Sequence, residues 1–305
     1  MVHVLIATEK PFAAEALEKI GKVFRKAGYE LHLLEKYTSK DQLLTAVKGM
    51  DALIVRSDIV DQEVLKAAPQ LRIVVRAGAG YDNIDGTTAS RKGIVVMNTP
   101  GMNANAVAEL AIGLAIYGLR SMFSGKQGGE LRDRTLGLHG FGYVARNVFH
   151  IARAMGMKGI VYTRYSKEAA AAIGLKVTHS LEELYHKSDI ISIHVPAKGE
   201  HLKSVGNQVL KGLKEDASII NTARKEVINE GELLAAMEEK PGIRYLTDVA
   251  PDRKAEFLER FKDRFYATPV KIGAQTNEAN NNAGVAAAEQ IVAFFQHGDI
   301  SCQVN

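Results

Sequence analysis

Short runs of aliphatic and β-branched residues recur along the first hundred positions, at residues 2–7, 31–34, 52–55, 72–75 and 94–97. Between them lie segments whose apolar positions have helical spacing, such as 12–27 and 41–47. Strands that are nearly all apolar are covered on both faces, as in a parallel sheet lying between helices. The alternation resumes at 135–139, 159–163, 190–194, 218–222 and 245–249. Two successive βα series predict an α/β protein built from two doubly wound parallel-sheet domains.

The break between the series is legible. Thr99-Pro100-Gly101 interrupts the pattern after the fifth strand. A helix is then predicted over 103–122, with Ala104, Ala106, Val107, Ala108, Leu110, Ala111, Leu114 and Ala115 covering most of its circumference. A helix apolar nearly all round is expected to be buried, here between two domains. The polar, glycine-containing stretch 124–129 follows as a turn.

Length and composition narrow the class. With 305 residues, and about 150 per domain, two domains are expected. An apolar fraction of 46% and a charged fraction of 24% are those of a globular chain. A net charge of +4, spread evenly, argues against a nucleic-acid partner. The single cysteine, Cys302, excludes an internal disulfide and thiolate metal clusters. The start of the chain lacks the pattern of a signal peptide, and the longest uncharged apolar stretch, 110–119, is shorter than the roughly 20 residues that span a bilayer. A cytoplasmic location without a membrane partner is the expectation.

The most informative local motif follows the strand at 135–139. Gly140-Phe141-Gly142-Tyr143-Val144-Ala145 has the form GxGxxA and leads directly into a helix. Gly140 permits a tight turn, Gly142 removes a side chain where backbone approaches a pyrophosphate, and Ala145 lets helix and strand pack closely. The helix N-terminus, with Tyr143 and Val144, offers free N–H groups and the positive end of its dipole. A dinucleotide cofactor is expected. The next strand, however, ends in Thr163-Arg164 rather than in the acidic residue that selects NAD. Thr163 does not repel a 2′-phosphate and Arg164 can pair with one, so both NAD and NADP are open.

The chain resembles the D-isomer-specific 2-hydroxyacid dehydrogenases along nearly its whole length. The matching stretches are 76–85, Asn98-Thr99-Pro100-Gly101, Val107-Ala108-Glu109, the glycine turn, Ser192-Ile193-His194-Val195-Pro196, Asn221-Thr222-Ala223-Arg224 and Thr247-Asp248-Val249. Residues 76–85 are most similar to the 3-phosphoglycerate dehydrogenase branch, in its short form without a regulatory tail, which implies the first step of phosphorylated serine biosynthesis. The resemblance implies a flavodoxin-like, discontinuous substrate-binding domain from residues 1–99 and 278–305. It also implies a Rossmann NAD(P)-binding domain from 100–277, with His194, Val195, Pro196, Thr222, Ala223, Asp248 and Gly273 beside the cofactor. A homodimer is expected, as in relatives.

By the same resemblance, Arg224 is the substrate-anchoring arginine; a guanidinium grips a carboxylate with two parallel bonds and polarises the neighbouring carbonyl. The family's catalytic histidine falls in a segment that here reads Thr268-Pro269-Val270-Lys271-Ile272-Gly273-Ala274. Valine cannot move protons, so Lys271 is the candidate acid and base. A lysine base must shed its charge, against an ordinary pKa of about 10.4. Desolvation in a closed cleft and the nearby Arg224 are expected to assist it, which predicts an alkaline optimum for oxidation. Where the family carries a glutamate, five residues after Asp248, this chain has Arg253; Asp252 is the substitute candidate.

For the substrate, Arg56 and Ser57 end a strand of the first domain, Ala77 and Gly78 offer backbone amides, and Asn103 opens the long helix. Arg56 is the expected partner of a phosphate, and a small phosphorylated 2-hydroxy or 2-oxo acid the expected substrate. Two alternatives remain: an NADPH-dependent glyoxylate or hydroxypyruvate reductase, and a dinucleotide-sensing corepressor-like protein. No metal site is expected, because the histidine pairs 179/186 and 194/201 lack a cysteine or carboxylate to complete them.

Overall fold

The computed structural model describes residues 1–164 and 167–305, which divide into two compact units: Met1–Asn103 with Thr276–Asn305, and Ala104–Gln275. Both are α/β with wholly parallel sheets, as the alternating pattern predicts.

The first unit runs β1 (His3–Thr8), α1 (Ala14–Ala27), β2 (Glu30–Glu35), α2 (Lys40–Ala46), β3 (Ala52–Val55), α3 (Gln62–Ala67), β4 (Ile73–Arg76), α4 (Gly86–Arg91) and β5 (Val95–Asn98). Its strand order is β2-β1-β3-β4-β5, so the order reverses between β1 and β3. Successive side chains of a strand point to opposite faces. Thus Val4 and Ile6 pack with Phe12, Ile20 and Phe24, while Leu5 and Ala7 pack with Leu43, Val64 and Leu65. Strand β2 departs from the expectation of two covered faces: it lies at the sheet edge, and Leu33 is 50% exposed.

The second unit begins with α5 (Ala104–Leu119) and continues β6 (Thr135–His139), α6 (Tyr143–Ala154), β7 (Lys158–Tyr162), α7 (Lys167–Ala172), β8 (Lys176–Val177), α8 (Leu181–Lys187) and β9 (Ile190–Ile193). It ends with α9 (Asn207–Leu210), β10 (Ser218–Asn221), α10 (Glu230–Glu239), β11 (Arg244–Thr247), α11 (Lys254–Phe261) and β12 (Phe265–Ala267). The order β12-β11-β10-β9-β6-β7-β8 is that of a Rossmann sheet, reversing between β6 and β9. Strands β8 and β12 escape the sequence pattern because two or three residues are too few to show a period. The chain returns to the first unit with α12 (Asn277–His297), whose Ala283, Ala287, Ala288 and Ile291 complete the face shared by Val4 and Ile6.

Helix α5 corrects two expectations. It ends at Leu119, short of Met122, because Ser121, Met122 and Phe123 take φ of +50°, +55° and +56°. That left-handed conformation costs roughly 1–2 kcal/mol per residue and cannot continue a right-handed helix. Nor is α5 buried all round: Asn105, Glu109 and Gly113 are exposed, while Ala104, Ala108, Ala111 and Ala115 are buried.

Candidate active site

In the second unit the glycine turn joins β6 to α6 at the strand reversal. Gly140 has φ +98°, and a Cβ there would stand 2.7 Å from the His194 carbonyl oxygen. Only glycine lets this turn close against the end of β9. Its amide donates to the Tyr162 carbonyl at 3.0 Å, and the His194 amide donates to the His139 carbonyl at 2.8 Å. Gly142 is the N-cap of α6 without a capping side chain, and no acid lies in the first turn. A Cβ on Gly142 would meet nothing within 4 Å among the described residues. Tyr143 is exposed and Val144 half-buried, whereas Ala145 is fully buried against the sheet. The first amides of α6 thus have neither a capping side chain nor an acid in the first turn to offset the helix dipole, the arrangement that receives an anion. The Thr222 hydroxyl, at the end of β10, is buried without a hydrogen-bond partner among the described residues.

At the end of β7 the half-buried Thr163 precedes Arg164. The Arg164 guanidinium is engaged at very short range by the Glu200 carboxylate, from the segment after β9. Tyr165 and Ser166, the next two positions of the stretch read for cofactor choice, lie outside the described residues. Sequence reasoning missed Glu200, which is 36 positions from Arg164 and in no motif with it.

Two imidazoles line the reversal. His139, 2% exposed, sits 3.3 Å by Nδ1 from the Tyr185 hydroxyl, and the His194 Nε2 is 2.8 Å from the Ser192 hydroxyl. Burial pulls both pKa values down to about 3, with the neighbouring His201 and His194 adding to the effect on His139. Both rings are neutral near pH 7. Val195 is buried and Pro196 exposed beside them.

Asp248 organises the segment after β12. This carboxylate is 1% exposed. Its Oδ1 accepts from the Thr268 hydroxyl at 2.9 Å and the Ile272 amide at 2.8 Å, and its Oδ2 accepts from the Gly273 amide at 2.8 Å. A Cβ on Gly273 would stand 2.8 Å from that Oδ2, so glycine is needed for the clamp to close. The clamp pins the segment on both sides of Lys271. Lys271 itself is exposed, as are Val270 and Ile272. The desolvation expected around its amine is not a property of this loop, because the clamp holds the backbone and leaves the side chains of 270–272 outward.

Arg224 lies between β10 and α10, half-buried beside the half-buried Ala223; its Nη1 donates to the Ala223 carbonyl at 3.0 Å, and the Asn221 side chain donates to its carbonyl at 3.0 Å. Asp252 is exposed, and its carboxylate forms a very short ion pair with Lys225 while Glu230 holds its amide at 2.9 Å. Lys225, next to Arg224, is thus what engages Asp252.

In the first unit Arg56 follows β3 at the strand reversal. Its Nη1 donates to the Lys10 and Pro11 carbonyls at 2.7 and 3.1 Å, and its Nη2 donates to the Asn280 side chain at 2.6 Å. The guanidinium lies 5.2 Å from the centre of the Phe12 ring, and burial pushes its pKa below the usual arginine range. These bonds use three of its five N–H groups. Ser57 is exposed, but the next residue, Asp58, is buried and was missed: it accepts from the Glu9 amide at 2.8 Å, the Tyr37 hydroxyl at 2.9 Å and the Arg56 amide at 3.2 Å. The Ala77 and Gly78 amides, expected to face a ligand, donate instead to the Val55 and Arg76 carbonyls, each at 2.8 Å. Gly78 has φ +145°, a backbone conformation that L side chains rarely adopt, so its place is a conformational requirement. Asn103 is half-buried at the end of the unit.

Comparison with known proteins agrees with this arrangement. The family model for the D-isomer specific 2-hydroxyacid dehydrogenase catalytic domain matches residues 4–305. The chain is 34% identical over 297 residues to D-3-phosphoglycerate dehydrogenase of Methanocaldococcus jannaschii, covering 92% of this chain but 54% of that protein. It thus spans about half the length of that relative. It is also 34% identical over 280 residues to hydroxypyruvate reductase of Thermotoga maritima, covering 86% of this chain and 90% of that protein. Among solved structures it is similar to NAD+-bound 3-phosphoglycerate dehydrogenase of Entamoeba histolytica, with a TM-score of 0.90 and 45% identity over 100% of this chain and 98% of that one. The chain belongs to the D-isomer-specific 2-hydroxyacid dehydrogenase family.

Proposed function

We propose that the chain is an NAD-dependent D-3-phosphoglycerate dehydrogenase, interconverting 3-phosphoglycerate and 3-phosphohydroxypyruvate, as in phosphorylated serine biosynthesis. What carries the reading is the end-to-end likeness to the Entamoeba histolytica enzyme, at higher identity than to the reductase.

The donor set of the second unit fits a dinucleotide. The uncapped α6 and the open space at Gly142 suit a pyrophosphate, and the buried Thr222 hydroxyl lacks a protein partner among the described residues. Tyr143, Val144, Thr163, His194, Val195, Pro196, Ala223 and Gly273 complete the set proposed to line it. NAD is favoured over NADP because the Glu200 carboxylate engages Arg164 and would repel a 2′-phosphate. When bound, the nicotinamide takes or gives the hydride at C2 of the acid.

The chain's own residues do the rest. Arg224 is assigned the substrate carboxylate and the polarisation of the 2-oxo group. Lys271, held in an exposed loop by the Asp248 clamp, is assigned the proton of the C2 oxygen. In the reductive direction the charged amine donates that proton directly. In the oxidative direction it must first lose its own, which is why oxidation is expected to rise with pH. Asp252, paired with Lys225, is a brace of the Arg224 segment rather than a participant in proton transfer. Arg56, a half-buried guanidinium at the strand reversal, is assigned the phosphate; Ser57 and Asn103 are proposed to flank the substrate.

The hydroxypyruvate reductase reading is favoured by one observation: protein groups already engage three Arg56 donors. Steady-state assays with 3-phosphohydroxypyruvate, hydroxypyruvate and glyoxylate, each with NADH and NADPH, separate the two. The expected result is highest kcat/KM for the phosphorylated acid with NADH. Replacing Arg56→Ala is then expected to lower kcat/KM for that acid about 10- to 100-fold, the value of a bond to a charged group, and to leave hydroxypyruvate nearly unchanged. Equal losses for both acids would remove the phosphate from Arg56.

A further inference from the structure

We propose that His3, Glu30 and His32 form a binding site for one zinc-class divalent cation at the N-terminal edge of the first sheet. Strands β1 and β2 pair in parallel with His3 opposite Glu30 and Leu5 opposite His32. Residues opposite one another in a sheet share a face, and so do residues two apart on one strand. The register therefore brings all three side chains to the same face.

Their separations fit one ion. The His3 Nδ1 lies 3.3 Å from the His32 Nε2 and 3.4 Å from the Glu30 Oε2, and the His32 Nε2 lies 3.5 Å from the Glu30 Oε1. Ligands about 2.0–2.1 Å from zinc at tetrahedral angles are about 3.3–3.4 Å apart. With a single oxygen taken for the carboxylate, all three ligand atoms still lie within 4.8 Å of one another. A small rotation of the Glu30 side chain closes the set.

The backbone beneath is braced. Asp51 accepts the His3 amide at 2.8 Å by its Oδ2 and donates its own amide to the His3 carbonyl at 2.9 Å. Two imidazoles select a borderline cation such as zinc, nickel or copper over magnesium or calcium. Three protein ligands leave a fourth position, and side-chain exposures of 35–48% let water reach it. The site lies at the opposite end of the strands from the Arg56 loop, so the ion would not touch substrate. It would staple the edge strand β2 to β1.

The test uses the full chain, free of any tag and stripped with EDTA. Calorimetry is expected to give one zinc ion per chain with micromolar affinity. Cobalt substitution is expected to give the visible absorption bands of a tetrahedral nitrogen–oxygen site. Zinc at roughly a hundred times its Kd is expected to raise Tm by about 5 °C. His32→Ala and Glu30→Gln are each expected to weaken zinc at least about tenfold and, at the same zinc concentration, to cut that rise by about half or more. His150→Ala, an exposed histidine of α6, is expected to change neither. Absence of saturable zinc binding, or binding of equal strength in the His32 and Glu30 variants, overturns the proposal; if His32→Ala does not fold, Glu30→Gln alone decides.

Discussion

At the strand reversal of the first unit, between β1 and β3, a buried carboxylate fills the space. Asp58 accepts from the Glu9 amide, the Tyr37 hydroxyl and the Arg56 amide; α1 begins on Ala13 without a capping side chain but carries Glu15 in its first turn. At the reversal of the second unit, between β6 and β9, the corresponding helix begins on Gly142 with no capping side chain and no acid in its first turn. Both are parallel α/β sheets whose ligands belong at the carboxyl ends of the strands. In the first, an internal carboxylate holds the loop amides of Glu9 and Arg56; in the second, no side chain caps the first amides of α6 and no acid lies in its first turn. A shared architecture thus specifies where a ligand can bind, while individual side chains decide what charge meets it there.

The largest effect tests the chemistry that the second unit supports. Lys271→Ala is expected to lower kcat by about 10²- to 10⁴-fold, the range for loss of a general acid, with NADH affinity unchanged. A loss below tenfold would move the proton transfer elsewhere. Next comes acid stability. His139 and His194, both in the second unit, have pKa values pulled down to about 3 by burial. The unfolded chain binds protons at these rings from its ordinary value of about 6.5 downward, so their contribution is complete above that pH and is lost as pH falls toward 3. The slope is up to about 1.4 kcal/mol per pH unit for each ring. Urea denaturation at pH 7, 6 and 5 reads it; a flat stability over that range would mean that water already reaches both rings.

A paired substitution addresses the comparison directly. Asp58→Ala orphans three donors and is expected to destabilise the chain by about 2–4 kcal/mol with NADH affinity unaltered. Gly142→Asp places an internal carboxylate at the start of α6. It is expected to weaken NADH about 10- to 100-fold while holding or raising Tm, because an N-cap aspartate stabilises a helix by up to about 1 kcal/mol. If Asp58→Ala loosened NADH and Gly142→Asp did not, the contrast between the two reversals would be false. The smallest effect concerns cofactor choice: Glu200→Gln removes the carboxylate that engages Arg164 and is expected to raise kcat/KM with NADPH several-fold. An unchanged ratio of NADPH to NADH would separate Arg164 from the 2′ position.

The elements most legible in the sequence are those whose residues carry their own reason. Strand β3, Ala-Leu-Ile-Val, is buried at every position, and its run of apolar residues admits no other reading. Gly140 and Ala145 were legible because a turn at φ +98° and a side chain of zero exposure each demand a particular residue type. Strand β2 looked like β3 in composition but lies at an edge, and edge or centre is settled by pairing partners, not by the strand itself. Helix α5 was read too long because three residues after Arg120 take left-handed φ, which their identities do not announce.

By itself, the sequence determined the two βα series and the glycine turn that opens α6. Local spacing and residue type specify those through sterics and burial. Tertiary structure alone decided that Glu200 engages Arg164, that Lys225 engages Asp252, that Asp248 clamps residues 268–273, and that His3 meets Glu30 and His32. Each such meeting joins residues 20 or more positions apart. Charge and hydrogen bonding act across a few ångströms of space, and which residues come that close is set by strand register and loop path.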